Sequence, residues 1–390
     1  MRLAERMDRI GESATLKVMR LASELKAQGV DVLDLGVGEP DFPSPEVAVA
    51  AAREALAAGF TKYTDGTGIA SLRSAIAGNL AARYGAPWKA RDVVVTVGAK
   101  MALFHLAMAL IDPGDEAVIP SPCWVSFPEQ IRFAGGAPVL VPTSGADRFR
   151  VHVEPLIAAM TPCTRAVILN SPSNPTGGII HHEDLERLVE ECARRGVLLV
   201  SDETYDRFVY PGEPFASAAS LAVRFPETVV VVGSLSKTYS MTGWRLGFLC
   251  GPPALVRAAA TIQSHSTSNP TSFAMKGAEA AIAGAEPYVE AMIEEYRARR
   301  DLLVAGLDAL PGVTCQPPSG AFYAFPDVSG TYRGERRGST ALAEHLLREA
   351  GVAVVPGAAF GNDDHVRISF ACSRATLEDA LGRMRRALTD

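Results

Sequence analysis

Seven short apolar runs follow one another along the middle of the chain: Val93–Val97, Ala117–Ile119, Val139–Val141, Ala166–Leu169, Val197–Ser201, Val229–Val232 and Leu246–Cys250. Most are continuous rather than alternating. A strand with one wet face alternates apolar and polar side chains, so a run that is apolar at successive positions has to be covered on both faces. Stretches of helical periodicity separate many of these runs. Leu72, Ile76 and Leu80 recur at helical spacing and Gly85 stops that helix. Ser44-Pro45 reads as another start, with Ser44 as N-cap and Pro45 at the first helical position. Strands alternating with helices predict an α/β architecture whose mostly parallel sheet is covered by helices.

The last hundred residues read differently. A long helix is predicted over Glu290–Leu310, then strand-like pieces at Ala321–Phe325, Val352–Val355 and Val366–Phe370, a helix at Thr340–Glu349 and a final helix from Arg374. This predicts a smaller α+β domain on which the first forty residues pack. The expected division is a large domain over 46–285, a small domain over 12–45 and 286–390, and an N-terminal arm over 1–11.

Composition narrows the class of protein. Of 390 residues 48% are hydrophobic and 21% charged, as in soluble globular proteins. A net charge of -6 argues against a nucleic-acid surface, and the basic run Arg333-Gly334-Glu335-Arg336-Arg337-Gly338 reads as a solvated loop. The six cysteines lie far apart with no Cys-x-x-Cys pair, the usage of reduced thiols rather than of a disulfide frame or a zinc site. His181-His182 is no metal motif either, and no metal is expected. The charged start leads into no apolar leader, and no run is apolar and long enough to span a bilayer. The expected location is cytoplasmic, with neither nucleic acid nor membrane as partner.

In α/β sheets ligands collect at the carboxyl ends of strands. Four polar clusters fall there: Gly98-Ala99-Lys100, Asn170 to Gly177, Asp202, and Ser234 to Lys237. The last is the most specific. In Ser234-Leu235-Ser236-Lys237 a lysine follows an apolar strand, and Arg245 stands eight positions later between Trp244 and Leu246. A lysine amine condenses with an aldehyde, and a guanidinium grips a phosphate bidentately. One loop thus carries both attachments that pyridoxal 5'-phosphate (PLP) needs.

Each residue also has a plainer reading. Lys237 is either an ordinary surface lysine or, at a buried sheet edge, an amine made nucleophilic by desolvation. Arg245 needs an anion, which a structural carboxylate or a phosphate could supply. Gly98-Ala99-Lys100 opens a helix whose backbone N–H groups could cradle a phosphate, although every βα unit has such a turn. Lys100 opposes the helix dipole there, which points to an anionic group nearby or to plain surface placement. Asp202 is a helix cap or a carboxylate paired with a pyridinium nitrogen. Tyr205 could hydrogen-bond a phenolic oxygen, and Asn174 sits in a turn that does not itself require Asn. Arg367, on the mostly apolar strand Val366–Phe370, is a carboxylate fork or a rim ion pair.

As a set these motifs resemble one family: the class I aminotransferases of PLP fold type I, in their bacterial aspartate/prephenate branch. The likeness runs nearly end to end. It starts at Leu35-Gly36-Val37-Gly38-Glu39-Pro40-Asp41-Phe42 and includes Ser173-Asn174-Pro175-Thr176-Gly177, Ser201-Asp202-Glu203-Thr204-Tyr205 and Met241-Thr242-Gly243-Trp244-Arg245. It ends at His365-Val366-Arg367-Ile368-Ser369. The resemblance implies that Lys237 holds PLP as a Schiff base and later moves the Cα proton, that Asp202 pairs with the ring nitrogen, and that Tyr205 and Asn174 bind the phenolic oxygen. Trp124 would stack on the ring. Ser234, Arg245 and the Ala99–Lys100 turn would hold the phosphate. Tyr63 would reach the phosphate of a neighbouring subunit, giving a homodimer with shared sites. Arg367 would fork the substrate α-carboxylate with help from the Gly38 N–H.

Implied too is ping-pong transfer of an amino group from aspartate or glutamate to a 2-oxo acid. In this branch a lysine at the Lys100 position and hydroxyls near Ser13 and Thr15 receive the distal carboxylate. The branch also includes prephenate and aromatic aminotransferases. Ala99, Cys123, Thr204 and Met275 depart from the common pattern, so a specialised amino donor stays open. A fold type I C–S lyase and a non-catalytic PLP-binding module are the further readings.

Overall fold

The computed structural model describes residues 2–11, 14–213, 215–334 and 336–389, with the backbone alone for 14–19. Among the described residues twelve strands form three sheets. In chain order they are β1 (Leu33–Asp34), β2 (Val93–Thr96), β3 (Glu116–Ser121), β4 (Ala137–Pro142), β5 (Thr164–Asn170) and β6 (Leu198–Asp202). There follow β7 (Val229–Ser234), β8 (Gly247–Cys250), β9 (Tyr323–Ala324), β10 (Val352–Ala353), β11 (Val355–Pro356) and β12 (Val366–Ser369). The seven apolar runs of the sequence become one sheet in the order β2-β8-β7-β6-β5-β3-β4.

In that order both faces of the sheet are buried from β2 to β5, as the unbroken runs require; the edge strand β4 departs from this expectation, with Val141 buried but Leu140 42% exposed, because no strand covers its far side. Val93, Val95, Val118, Val167, Leu199, Val229 and Val231 enter the core on one face. Their neighbours Val94, Ala117, Ala166, Val200, Val230 and Val232 enter the core on the other. Pairs among β4, β3, β5, β6 and β7 are parallel, and β8 is antiparallel to both of its neighbours. A parallel return needs a long crossover, usually a helix. The connection from β7 to β8 contains only the short helix Leu235–Thr238 and a turn, so β8 comes back antiparallel. Ser234 therefore lies opposite Gly247, and Gly247 opposite Thr96. The end of β7, the start of β8 and the end of β2 meet at one edge.

The C-terminal part builds its own core from Tyr296, Leu303, Phe322, Leu346, Ile368 and Phe370. Here β11, β12 and β9 form an antiparallel sheet, and β1 pairs in parallel with β10. Ala22 and Val32 pack on Leu347 and Ala353 of this part.

Four local expectations are corrected. Val352–Val355 is two strands, because Val354 passes the chain from the β1 pair to the β12 pair. The helix start at residue 44 shifts by one: Pro45 is the N-cap, and Ser44 Oγ instead donates to the Ser240 carbonyl at 2.9 Å and accepts from Trp244 Nε1 at 2.9 Å. Within the basic run Arg336 turns inward, bonding the Ala387 carbonyl at 3.2 Å and the Thr331 carbonyl at 3.3 Å. The long helix begins at Glu286 rather than 290, since Pro287 suits a first turn, and it ends at Asp308.

Gly247 is where β8 and the turn after β2 come closest. A Cβ there would stand 2.3 Å from the Ala99 nitrogen. We expect Gly247→Ala to lower the urea-unfolding free energy by about 1–3 kcal/mol, the usual size of an overpacking strain. Gly78→Ala, in an open helical position, should be neutral or stabilising; equal effects of the two would contradict this account.

Candidate active site

At this edge lies a cavity of about 300 Å³. Lys237 enters it from the helix Leu235–Thr238, whose first turn is held by Ser234 Oγ accepting from the Ser236 N–H at 3.0 Å. The Lys237 amine donates to the Gly38 carbonyl at 2.6 Å. Burial pushes its pKa down to about 8; Glu39 opposes the shift, and Arg367, Arg245 and Lys100 reinforce it.

Asp202 ends β6 and is buried. Its carboxylate accepts from the Thr204 N–H at 3.1 Å. Burial raises its pKa to about 6 against the pull of Thr204 and Lys237. Asn170, at the end of β5 opposite Asp202, donates to the Asp202 carbonyl at 3.0 Å and accepts from the Asn174 N–H at 2.8 Å. That link fixes the loop carrying Asn174.

Arg367 projects from β12 and is 4% exposed. Nη1 donates to Asn174 Oδ1 at 2.9 Å and Nη2 to the Gly36 carbonyl at 2.7 Å, while Nε has no partner. The guanidinium lies 4.5 Å from the Tyr323 ring centroid and 5.2 Å from that of Phe360. Tyr205 shares a 2.9 Å hydrogen bond between hydroxyls with Tyr323.

Arg245 has a left-handed backbone (φ 57°) and donates to the Thr242 carbonyl at 3.0 Å. Gly98, at φ 77°, lies beside it; a Cβ there would approach Arg245 Nη2 to 2.6 Å. Gly98 caps the helix Ala99–Leu110, so Arg245 and the free N–H groups of a helix start face the same space. Lys100 Nζ stands 4.9 Å from the Trp124 ring centroid. Burial and Arg245 lower the Lys100 pKa.

The structure thus gathers Lys237, Asp202, Tyr205, Asn174, Trp124, Ala99, Lys100, Ser234, Arg245, Gly38 and Arg367 around one cavity. Tyr63 is not among them: it is 89% exposed on the surface. Ser13 lies outside the described residues, and for Thr15 only the helical backbone is described. Sequence reasoning missed Tyr323, which touches both Tyr205 and Arg367, and gave Asn170 no individual role. A hydroxyl on the otherwise apolar strand Ala321–Phe325 was the available signal for Tyr323.

These groups fit PLP on chemical grounds. A buried amine of lowered pKa suits an aldehyde. A buried carboxylate with no ion pair among the described residues suits a protonated ring nitrogen. Arg245 beside a helix start suits a phosphate, and the Trp124 face suits an aromatic ring.

Comparison with known proteins agrees. Residues 30–384 match the family model Aminotransferase class I and II. The aspartate aminotransferase of Geobacillus stearothermophilus is 44% identical over 388 residues, covering 99% of this chain and 98% of that protein. The aspartate/prephenate aminotransferase of Thermus thermophilus is 44% identical, covering 99% and 98%. Among solved structures, the aspartate aminotransferase from Thermus thermophilus with maleate superposes with a TM-score of 0.94 at 42% identity, covering 99% of this chain and all of that one. The enzyme from Rhizobium meliloti gives 0.95 at 39% identity, covering 100% and 99%. The chain belongs to the class I and II aminotransferases, PLP-dependent transferases of fold type I.

Proposed function

We propose that this aminotransferase takes the amino group from aspartate or glutamate and gives it to a 2-oxo acid such as 2-oxoglutarate, in a ping-pong cycle. The observation that carries this reading is a pair of cations. Arg367 and Lys100 line one cavity, and neither has a carboxylate partner among the described residues. A dicarboxylic substrate supplies one carboxylate to each. The relatives named as aspartate aminotransferases support it. Those named aspartate/prephenate aminotransferase favour a second reading in which a bulkier oxo acid is also accepted.

PLP, when bound, supplies an aldehyde that takes up the amino group and a ring that stores the electrons released at Cα. The chain does the rest. Asp202 would hold the ring nitrogen from β6. Tyr205, whose hydroxyl Tyr323 orients, and Asn174 would donate to the phenolic oxygen. Trp124 would stack on the ring. Ser234, Arg245 and the Ala99–Lys100 turn would bind the phosphate. Arg367 and the Gly38 N–H fix the α-carboxylate, while Asn174 and Trp124 also border the substrate. The Lys237 amine, once free, removes the Cα proton, holds it on Nζ and returns it. A pKa near 8 leaves a usable fraction of free base near neutral pH.

The same reading covers the assembly. The exposed Tyr63 would complete the phosphate site of a second subunit, making a homodimer with shared sites; a monomer in sedimentation velocity would contradict it. The division into 46–285, 12–45 with 286–390, and the arm 1–11 is supported by two largely separate cores, the second of which also takes in Tyr205, Phe208 and Tyr210. A cytoplasmic location fits the free cysteines, and no helix among the described residues is long and apolar enough to cross a membrane.

Three outcomes test the reading. Asp202→Asn should lose about 10³-fold or more in kcat with PLP still bound, because the ring loses its counter-charge; near-normal turnover would remove Asp202 from this role. Lys100→Ala should lose about 10–100-fold in kcat/KM for aspartate, the range of a charged hydrogen bond. It should lose much less for alanine, and equal losses would refute the assignment. The third outcome concerns pH. Between about 8 and the ordinary lysine value of about 10.4 the unfolded chain holds a proton that folded Lys237 lacks. The cofactor-free protein should therefore gain stability as pH rises through that window, by about 1–3 kcal/mol relative to Lys237→Met. Parallel urea midpoints for the two would count against a buried, depressed amine.

A further inference from the structure

A second cavity, of about 570 Å³, backs onto the first. The two share Lys100, which lines both. Between them runs Cys123-Trp124-Val125: Trp124 faces the Lys237 cavity, whereas Cys123 and Val125 face the second one. The second cavity is otherwise mostly apolar, with Phe104, Phe133, Leu140 and Phe360 on its walls. Its other basic residue, Arg132, is tied to Glu129 at 2.5 Å. Lys100 is thus its one uncommitted cation among the described residues, held only by the Trp124 face.

The size lies in the range of small-molecule sites, and a mostly apolar chamber with one cation lacking an ion pair among the described residues is complementary to one kind of ligand. We propose that this chamber binds an apolar monocarboxylate, an aryl- or alkyl-alkanoate, with the carboxylate on Lys100 Nζ and the hydrocarbon between Phe104, Leu140 and Phe360. Such a ligand withdraws Lys100 from the substrate side. It therefore opposes acidic substrates and spares neutral ones. This consequence for kinetics rests on Lys100 serving the distal carboxylate; the binding itself does not. Two features favour the chamber over the Lys237 cavity for such a molecule. The chamber's walls are the more apolar of the two, whereas the Lys237 cavity carries Asn170, Asn174, Asp202 and Ser236. In the chamber the hydrocarbon leaves water and the carboxylate meets a cation whose charge burial disfavours, so pairing relieves both. Cys123, buried on the wall with its thiol pushed up to about 12, adds another neutral surface.

The test uses the PLP-loaded enzyme and 3-phenylpropionate as probe. Leu140 is 42% exposed on edge strand β4, so Leu140→Trp can narrow the chamber without disturbing the core. Ala359→Leu narrows it from the opposite wall as a second variant. Calorimetry should show binding to the wild type, weakened about tenfold or more by either variant, with kcat/KM for aspartate unchanged within about twofold. Inhibition should be competitive with aspartate and at least about tenfold weaker against alanine turnover. Unchanged probe affinity in both variants would put the molecule on Arg367 and overturn the proposal, as would the absence of binding at millimolar probe. Lys100→Ala separates the two ideas. Probe binding that survives it refutes this proposal alone. Equal losses on acidic and neutral donors, with probe binding still dependent on Lys100, refute only the substrate reading.

Discussion

Four cations, Lys100, Lys237, Arg245 and Arg367, face one cavity without an ion pair among the described residues. Arg367 is buried and Lys237 partly so, while Lys100 and Arg245 keep more contact with solvent; burying an unpaired charge is expensive, and proteins normally answer it with a carboxylate. Here neutral partners do so. The carbonyls of Gly38, Thr242 and Gly36 accept from three of the cations, and the rings of Trp124, Tyr323 and Phe360 lie under Lys100 and Arg367. Such partners position a cation without neutralising it. The charge stays available for anionic groups brought by ligands. The one buried acid at the centre, Asp202, is correspondingly left without a cation of its own.

Topology makes this convergence possible. Lys237 and Arg245 are eight residues apart, and a crossover helix between β7 and β8 would have sent them to opposite ends of the sheet. The antiparallel return keeps both at one end, and pairing of β8 with β2 brings in Gly98, Ala99 and Lys100. Close approach is then obligatory: neither Gly98 nor Gly247 leaves room for a Cβ. From the other side β12 delivers Arg367, and the segment after β1 delivers Gly36 and Gly38. The site therefore depends on both cores being formed.

Much of this was legible in the chain. Six of the seven strands announce themselves because burial on both faces leaves an unbroken apolar run; β4 shares the pattern although it lies at the exposed edge. Their polar ends name Lys237, Asp202, Asn174 and Lys100 because a charge or amide closing such a run is conspicuous. The residues that escaped act through distant partners. Tyr323 is one aromatic among several until β9 pairs with β12 and sets it beneath Arg367. Asn170 gains meaning only when β5 lies against β6. Ser44 reads as a helix cap locally, yet it bonds Trp244, 200 residues away. Local pattern reports which residues are unusual; pairing across the sheet decides what they touch.

The same distinction separates the cofactor from the substrate. The groups suited to PLP are fixed by strand ends and short turns, where register leaves little freedom. The proposed substrate side is built from separate pieces: the start of one helix at Lys100, the segment Cys123-Trp124-Val125 and the turn around Phe360. Because Trp124 faces one cavity and its two neighbours face the other, substitution at 123 or 125 reshapes the second chamber without altering the ring that covers the first. Lys100 is the exception, since it borders both. A change in its charge or in what pairs with it must register in both cavities at once, so on the proposed reading Lys100 couples substrate choice to whatever the larger chamber holds.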